Sequence, residues 1–232
     1  MSIREAQRVL VARFIEQTAG AMSSLGWMVE PGPPADPGSM FLGTFRRAIA
    51  EHFAATVEFT LESSLTGGFI GMRRLERPRL TIGGEIGVRH IPTEQLIRQL
   101  KLSSEVDITL DLADVFAETG QQLPVVRDDV SADRASATLV AAAAPHAVAF
   151  AHAHSNVEAM LSFILAGAAN RDEMFECEFV PALLAGSGRL HEARQAVARY
   201  RQRPKRDADE KAMYDRFTDQ LLHWLDDQES VI

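Results

Sequence analysis

Hydrophobic positions change their spacing along this chain, and each change marks an element. Ile3, Leu10, Phe14, Ala21 and Leu25 fall at helical steps and predict a helix over Ser2–Leu25 with one apolar stripe. Ser2 and Glu5 have the spacing of a capping box, and Gly26 ends the helix. Pro31, Pro33, Pro34 and Pro37 make 29–39 a stiff loop. Phe41, Phe45, Ile49 and Phe53 resume a helical period over Phe41–Ala55, although Phe41–Arg46 also reads as a strand start. The period then falls to two. Val57, Phe59 and Leu61 alternate with Glu58, Thr60 and Glu62, predicting a half-buried strand over Thr56–Ser63. Phe69–Met72 reads as a short strand and Arg79–His90 as a longer one, with Gly83-Gly84 marking a bulge or bend. A short helix follows over Pro92–Leu100. In the strand Val106–Leu112, Asp107, Thr109 and Asp111 face outward.

From about residue 126 the pattern is helical throughout. An alanine-rich helix over Ala132–Ala144 is ended or kinked by Pro145. Ser155 with Glu158, Asn170 with Glu173 and Asp207 with Glu210 open three further helices by capping-box spacing. The segment Phe179–Tyr200 reads as one helical hairpin, similar to a single tetratricopeptide unit. The last helix carries the stripe Met213, Phe217, Leu221, Trp224 and Leu225, which predicts a buried Trp224. The fold expected is α+β: a small, mainly antiparallel sheet covered by helices, with an all-helical C-terminal lobe. The division falls at 1–125 and 126–232, either as two lobes or as one continuous domain.

Composition narrows the function classes. With 32 acidic against 24 basic residues the net charge is −8, which disfavours nucleic acid and leaves room for a basic protein partner. One cysteine, Cys177, fits a reducing, cytoplasmic setting. The charged N-terminal residues do not read as a signal peptide. The weakly polar run Leu139–Ala153 is shorter than the roughly 20 residues of a membrane span.

Two constellations are candidates for function. His146, His152 and His154 are the sole metal-ligand cluster. On an extended segment His152 and His154 would point the same way, and Glu158 is available as a fourth ligand or general base for metal-dependent hydrolysis. The bland alternative is ordinary polar histidines on an alanine-rich segment. The second is acidic: Glu58, Glu62, Asp107 and Asp111 on two strands, forming a docking face for a basic partner or a plain solvated face. The chain has no G-x-S-x-G, Walker loop, H-E-x-x-H or C-x-x-C motif, and no motif implies a cofactor.

The layout as a whole is similar to that of small bacterial proteins, some resembling cytoplasmic immunity proteins encoded beside polymorphic toxins. Its components are an N-terminal helix ending at Gly26-Trp27, strands Thr56–Ser63 and Leu80–His90, helix Pro92–Leu100, strand Val106–Leu112 and a helical tail with Gly188–Ala193. The resemblance implies a non-enzymatic protein that binds a cognate toxin domain.

Overall fold

A computed structural model describes residues 3–30, 41–65, 69–70, 73–74, 79–101, 107–167, 173–202 and 208–230. The fold is α+β, with an antiparallel six-stranded sheet and eight helices among the described residues. The elements in chain order are α1 (Ile3–Ser24), β1 (Met28–Val29), β2 (Phe41–Ala50), β3 (Phe53–Leu65), β4 (Phe69–Ile70), β5 (Arg73–Arg74), β6 (Arg79–His90), α2 (Ile91–Gln99), β7 (Asp107–Asp111), α3 (Leu112–Glu118), β8 (Val125–Val126), α4 (Asp129–Ala153), α5 (Val157–Leu165), α6 (Glu173–Gly186), α7 (Leu190–Arg201) and α8 (Ala208–Glu229). The sheet runs β1-β2-β3-β6-β7, with β8 also on β6, and β4 pairs with β5 apart from it. Chain compactness defines two units. The first holds 1–49, 55–88 and 109–152, and the second holds 50–54, 89–108 and 153–232.

In the first unit α1 lies on the sheet with part of its expected stripe, since Ala21 is half-buried and Leu25, beyond the helix end at Ser24, is exposed. Leu10, Phe14 and Met22 are buried, and Phe14 meets Phe59 of β3 edge to face at 6.0 Å. Phe45 of β2 closes on the same ring at 5.8 Å. The capping partner Ser2 lies outside the described residues. Gly26 adopts φ +80°, its N–H donates to the Ser23 carbonyl and the Trp27 N–H to the Met22 carbonyl. This is a Schellman stop, which needs a left-handed residue at the glycine position.

Residues 41–55 correct the helical reading: they form β2, a turn at Glu51-His52 and the start of β3. Gly43 at φ +149° interrupts the pleat, so Leu42 and Phe45 are both buried three residues apart. That interruption imitates a helical period. Gly84 of β6 plays the opposite part. A Cβ there would stand 1.9 Å from the Glu58 carbonyl oxygen, so only glycine lets β6 approach β3.

Of the two expectations at Pro145, an end or a kink, α4 excludes the end. It passes through Pro145 and ends at Ala153. The stripe Leu139, Ala143, Ala147, Phe150 and Ala151 is buried along its length, and packing outweighs the amide lost at the proline. Thr18 of α1 donates to Ser136 of α4 at 3.0 Å, and Arg13 grips Asp133 through two bonds of 2.7 and 2.6 Å. α4 is long and apolar enough to cross a membrane by length and composition, but half of its apolar window is buried in the protein, as in a core helix.

In the second unit α6 packs against α2, α5, α7 and α8. Gly186 near its end meets α2 so closely that a Cβ would lie 2.7–2.8 Å from Thr93. The expected hairpin is present as α6 and α7, joined through Gly188 at φ +78°. Asn156, not Ser155, caps α5, accepting from the Ala159 N–H at 2.8 Å. The proposed caps Asn170 and Asp207 lie outside the described residues.

Candidate functional site

β6 lies between β3 and β7, so Glu58 and Asp107 are not on neighbouring strands as the sequence suggested. Glu58 is half-buried and accepts from the Thr44 hydroxyl at 3.4 Å. Glu62 belongs to β3, and its side chain is outside the described residues. Asp111 is exposed and caps α3, accepting from the Ala113 N–H at 2.6 Å. Asp107 is gripped by Arg89 through Nε at 2.6 Å and Nη2 at 3.0 Å. The third guanidinium nitrogen donates to buried Glu94 at 3.0 Å, and Glu94 also receives Arg98 at 2.6 Å. Asp107 thus belongs to a buried charge network.

Beside that network His90 is buried, its ring tilted against Phe53 at 5.0 Å and bonded through Nδ1 to the Thr93 hydroxyl at 2.7 Å. Burial, with a smaller contribution from His52, lowers its pKa to about 4. The sequence Arg89-His90-Ile91-Pro92-Thr93-Glu94 therefore folds into a buried polar corner at the start of α2. Its proline fixes the first turn, and the Ile91 N–H donates to the His52 carbonyl at 2.8 Å. Sequence reasoning missed this corner because Arg89 sits at an outward strand position, where a charged residue ordinarily meets water.

The histidines do not converge. His146 is exposed on α4, with Nδ1 bonded to the Ala142 carbonyl at 2.7 Å. His152 is exposed on the same helix, and His154 packs edge-on against Phe163 at 4.9 Å. Residues 151–153 are helical, so the extended H-x-H geometry is not formed, and two-residue spacing on a helix does not bring side chains to one face. Glu158 is tied to Arg189 instead. No set of three or more metal-binding side chains comes together among the described residues.

What the first unit does present is an open groove of about 380 Å3. Its building follows from the Schellman stop. The turn at Gly26 buries Trp27 and delivers the chain to β1, where Met28 pairs with Arg46 and Val29 with Phe45. Arg47, the next residue of β2, is exposed on the rim beside Leu25. Ala144, Pro145 and Val148 of α4 form the facing wall. Arg46 is paired with Glu30 at 3.4 Å, whereas Arg47 has no ion pair among the described residues. The Trp27 Nε1–H is buried without an acceptor among the described residues. Leu25, Met28 and Val29 are each about half exposed, at 48%, 57% and 54%. The signal was legible: three consecutive apolar residues, Trp27, Met28 and Val29, follow the helix stop at Gly26, more than a turn needs.

The second unit has a groove of about 370 Å3 between α5, α6 and α7, with Leu161, Val180 and Leu184 among its lining. Of its rim charges, Arg189 binds both Glu158 and Glu192, a contact that holds the Glu192 carboxyl below its ordinary pKa, and Arg199 lies over the Tyr200 ring. A scan of family models found no match to this chain, and searches of curated proteins and solved structures found none either.

Proposed function

We propose that this chain is a non-enzymatic cytoplasmic protein-binding protein, and that its partner adds an extended segment to the sheet edge at β1. One observation carries the reading: Leu25, and Met28 and Val29 of β1, expose large apolar side chains within five residues, and among the described residues β1 pairs only with β2. An apolar edge strand left open is a template for pairing, and soluble proteins ordinarily blunt such edges with charge. Backbone pairing supplies affinity in strand addition, and alternating side chains supply selectivity. The finer reading, an immunity protein that blocks a toxin domain, draws its support from the acidic net charge and the layout described above.

The test is binding of the purified chain to the product of the adjacent gene, by calorimetry, with wild type beside a Met28→Asp, Val29→Lys double variant. Both positions are exposed, so the variant retains the fold. A loss of about tenfold or more in affinity is expected, the equivalent of about 1.4 kcal/mol. Unchanged affinity in the variant overturns the edge reading, and no binding to that product overturns the immunity reading.

A further inference from the structure

We infer that the groove beside β1 receives an apolar partner segment carrying a carboxylate, and that Arg47 is its anchor. The inference rests on the protein-binding reading above and names the chemistry of the segment. The groove lining is aliphatic apart from the Trp27 ring and Arg47. Its volume of about 380 Å3 suits a few side chains and is at the small end of ligand sites. Arg47 is a cation at the edge of an apolar surface with no carboxylate partner among the described residues, while its neighbour Arg46 has one in Glu30. A guanidinium presents a fork of donors that matches a carboxylate, so the complementary group is an Asp or Glu side chain. Leu25 is shared by the groove and the exposed edge, so one extended segment running along β1 reaches both.

Trp27 lies in the groove and supplies the readout. In a Trp224→Phe background its emission is titrated with the acetylated, amidated peptides Leu-Leu-Glu-Leu-Leu, Leu-Leu-Gln-Leu-Leu and Leu-Leu-Lys-Leu-Leu, and with octanoate. The glutamate peptide is expected to shift the emission and to bind about threefold or more tightly than the glutamine one, as an exposed ion pair allows. The lysine peptide is expected to bind weakest. Arg47→Gln, an exposed change, should erase the glutamate preference and leave the glutamine peptide unaffected. Equal binding of all three peptides, or a glutamate preference that survives Arg47→Gln, overturns the inference. Binding of octanoate without the peptides overturns it in favour of a free carboxylic acid. Self-association of the chain that Arg47→Gln abolishes overturns it in favour of a second copy. The two readings fail separately: the peptide series tests the groove, and the Met28→Asp, Val29→Lys variant tests the edge.

Discussion

At the scale of single residues, three positions carry more than their sequence context announced. Gly84 sits at φ +140° with the Glu58 carbonyl where its Cβ would be. Gly84→Ala must push β6 off β3 or strain the backbone, and should cost roughly 3 kcal/mol or more, read as a large fall in melting temperature. Gly20, which has open space around it, is the control, and Gly20→Ala should be neutral or stabilising. His90 makes stability depend on pH. Its folded pKa of about 4 lies below the unfolded value near 6.5, so the unfolded chain binds more protons between those limits. Stability from this group is complete above pH 6.5 and is lost as pH falls towards 4, by about 1–3 kcal/mol. Denaturant titrations at pH 7.5, 5.5 and 4.5 should show that loss in wild type and a smaller one in His90→Gln. Equal acid losses would remove His90 from the account. Arg89 is the third such position: Arg89→Ala takes the guanidinium from Asp107 and one of the two guanidinium contacts from Glu94 and should cost about 3–5 kcal/mol, whereas Arg98→Ala, at an exposed side chain, should cost less than about 1 kcal/mol, both measured by denaturant unfolding.

At the scale of elements, uninterrupted periods were legible and interrupted ones were not. α1, α2, α7 and the alternating stretch of β3 follow their patterns because one face of each meets the core. β2 was misread because the Gly43 irregularity buries Leu42 and Phe45 at helical spacing. α3 was missed because the alternation of β7 runs directly into it, with Asp111 ending the strand and capping the helix. The candidate chemistry fared differently because it depends on tertiary pairing. Strand order separates Glu58 from Asp107, and helical geometry separates the histidines; neither is written in local spacing. α8 shows how fine the limit is. Phe217, Leu221 and Leu225 are buried as expected, joined by Tyr214, but Met213 is 59% exposed and Trp224 is only half-buried at the flank of the stripe. Leu221→Ala should therefore cost about 2–5 kcal/mol and Trp224→Ala distinctly less. In a Trp27→Phe background, Trp224 emission should be partly quenched by acrylamide. A fully protected, blue-shifted Trp224 would restore it to the core.

At the scale of the molecule, the net charge of −8 and the rim cation Arg47 act over different distances, and salt separates them. The Debye length is about 30 Å at 0.01 M salt and about 8 Å at 0.15 M. At low salt an approaching acidic segment meets the repulsion of the whole protein before it reaches Arg47. Raising salt to 0.15 M screens that approach while leaving a contact of a few ångströms partly intact. A basic partner steered by the acidic residues, Glu58 and Asp111 among them, behaves in the opposite way, because screening removes its attraction. The association rate of the cognate partner, followed by stopped-flow Trp27 fluorescence between 0.01 and 0.15 M salt, therefore has a sign that identifies the docking mode. The groove reading expects the rate to rise with salt, and Arg47→Gln to raise the dissociation rate. A rate that falls steeply with salt, together with a dissociation rate unmoved by Arg47→Gln, would place the partner on acidic surface instead. Asp107 would be no guide in that case: its charge is spent on Arg89 at 2.6 Å, so Asp107→Lys should unfold the corner of the second unit before it tests any interface.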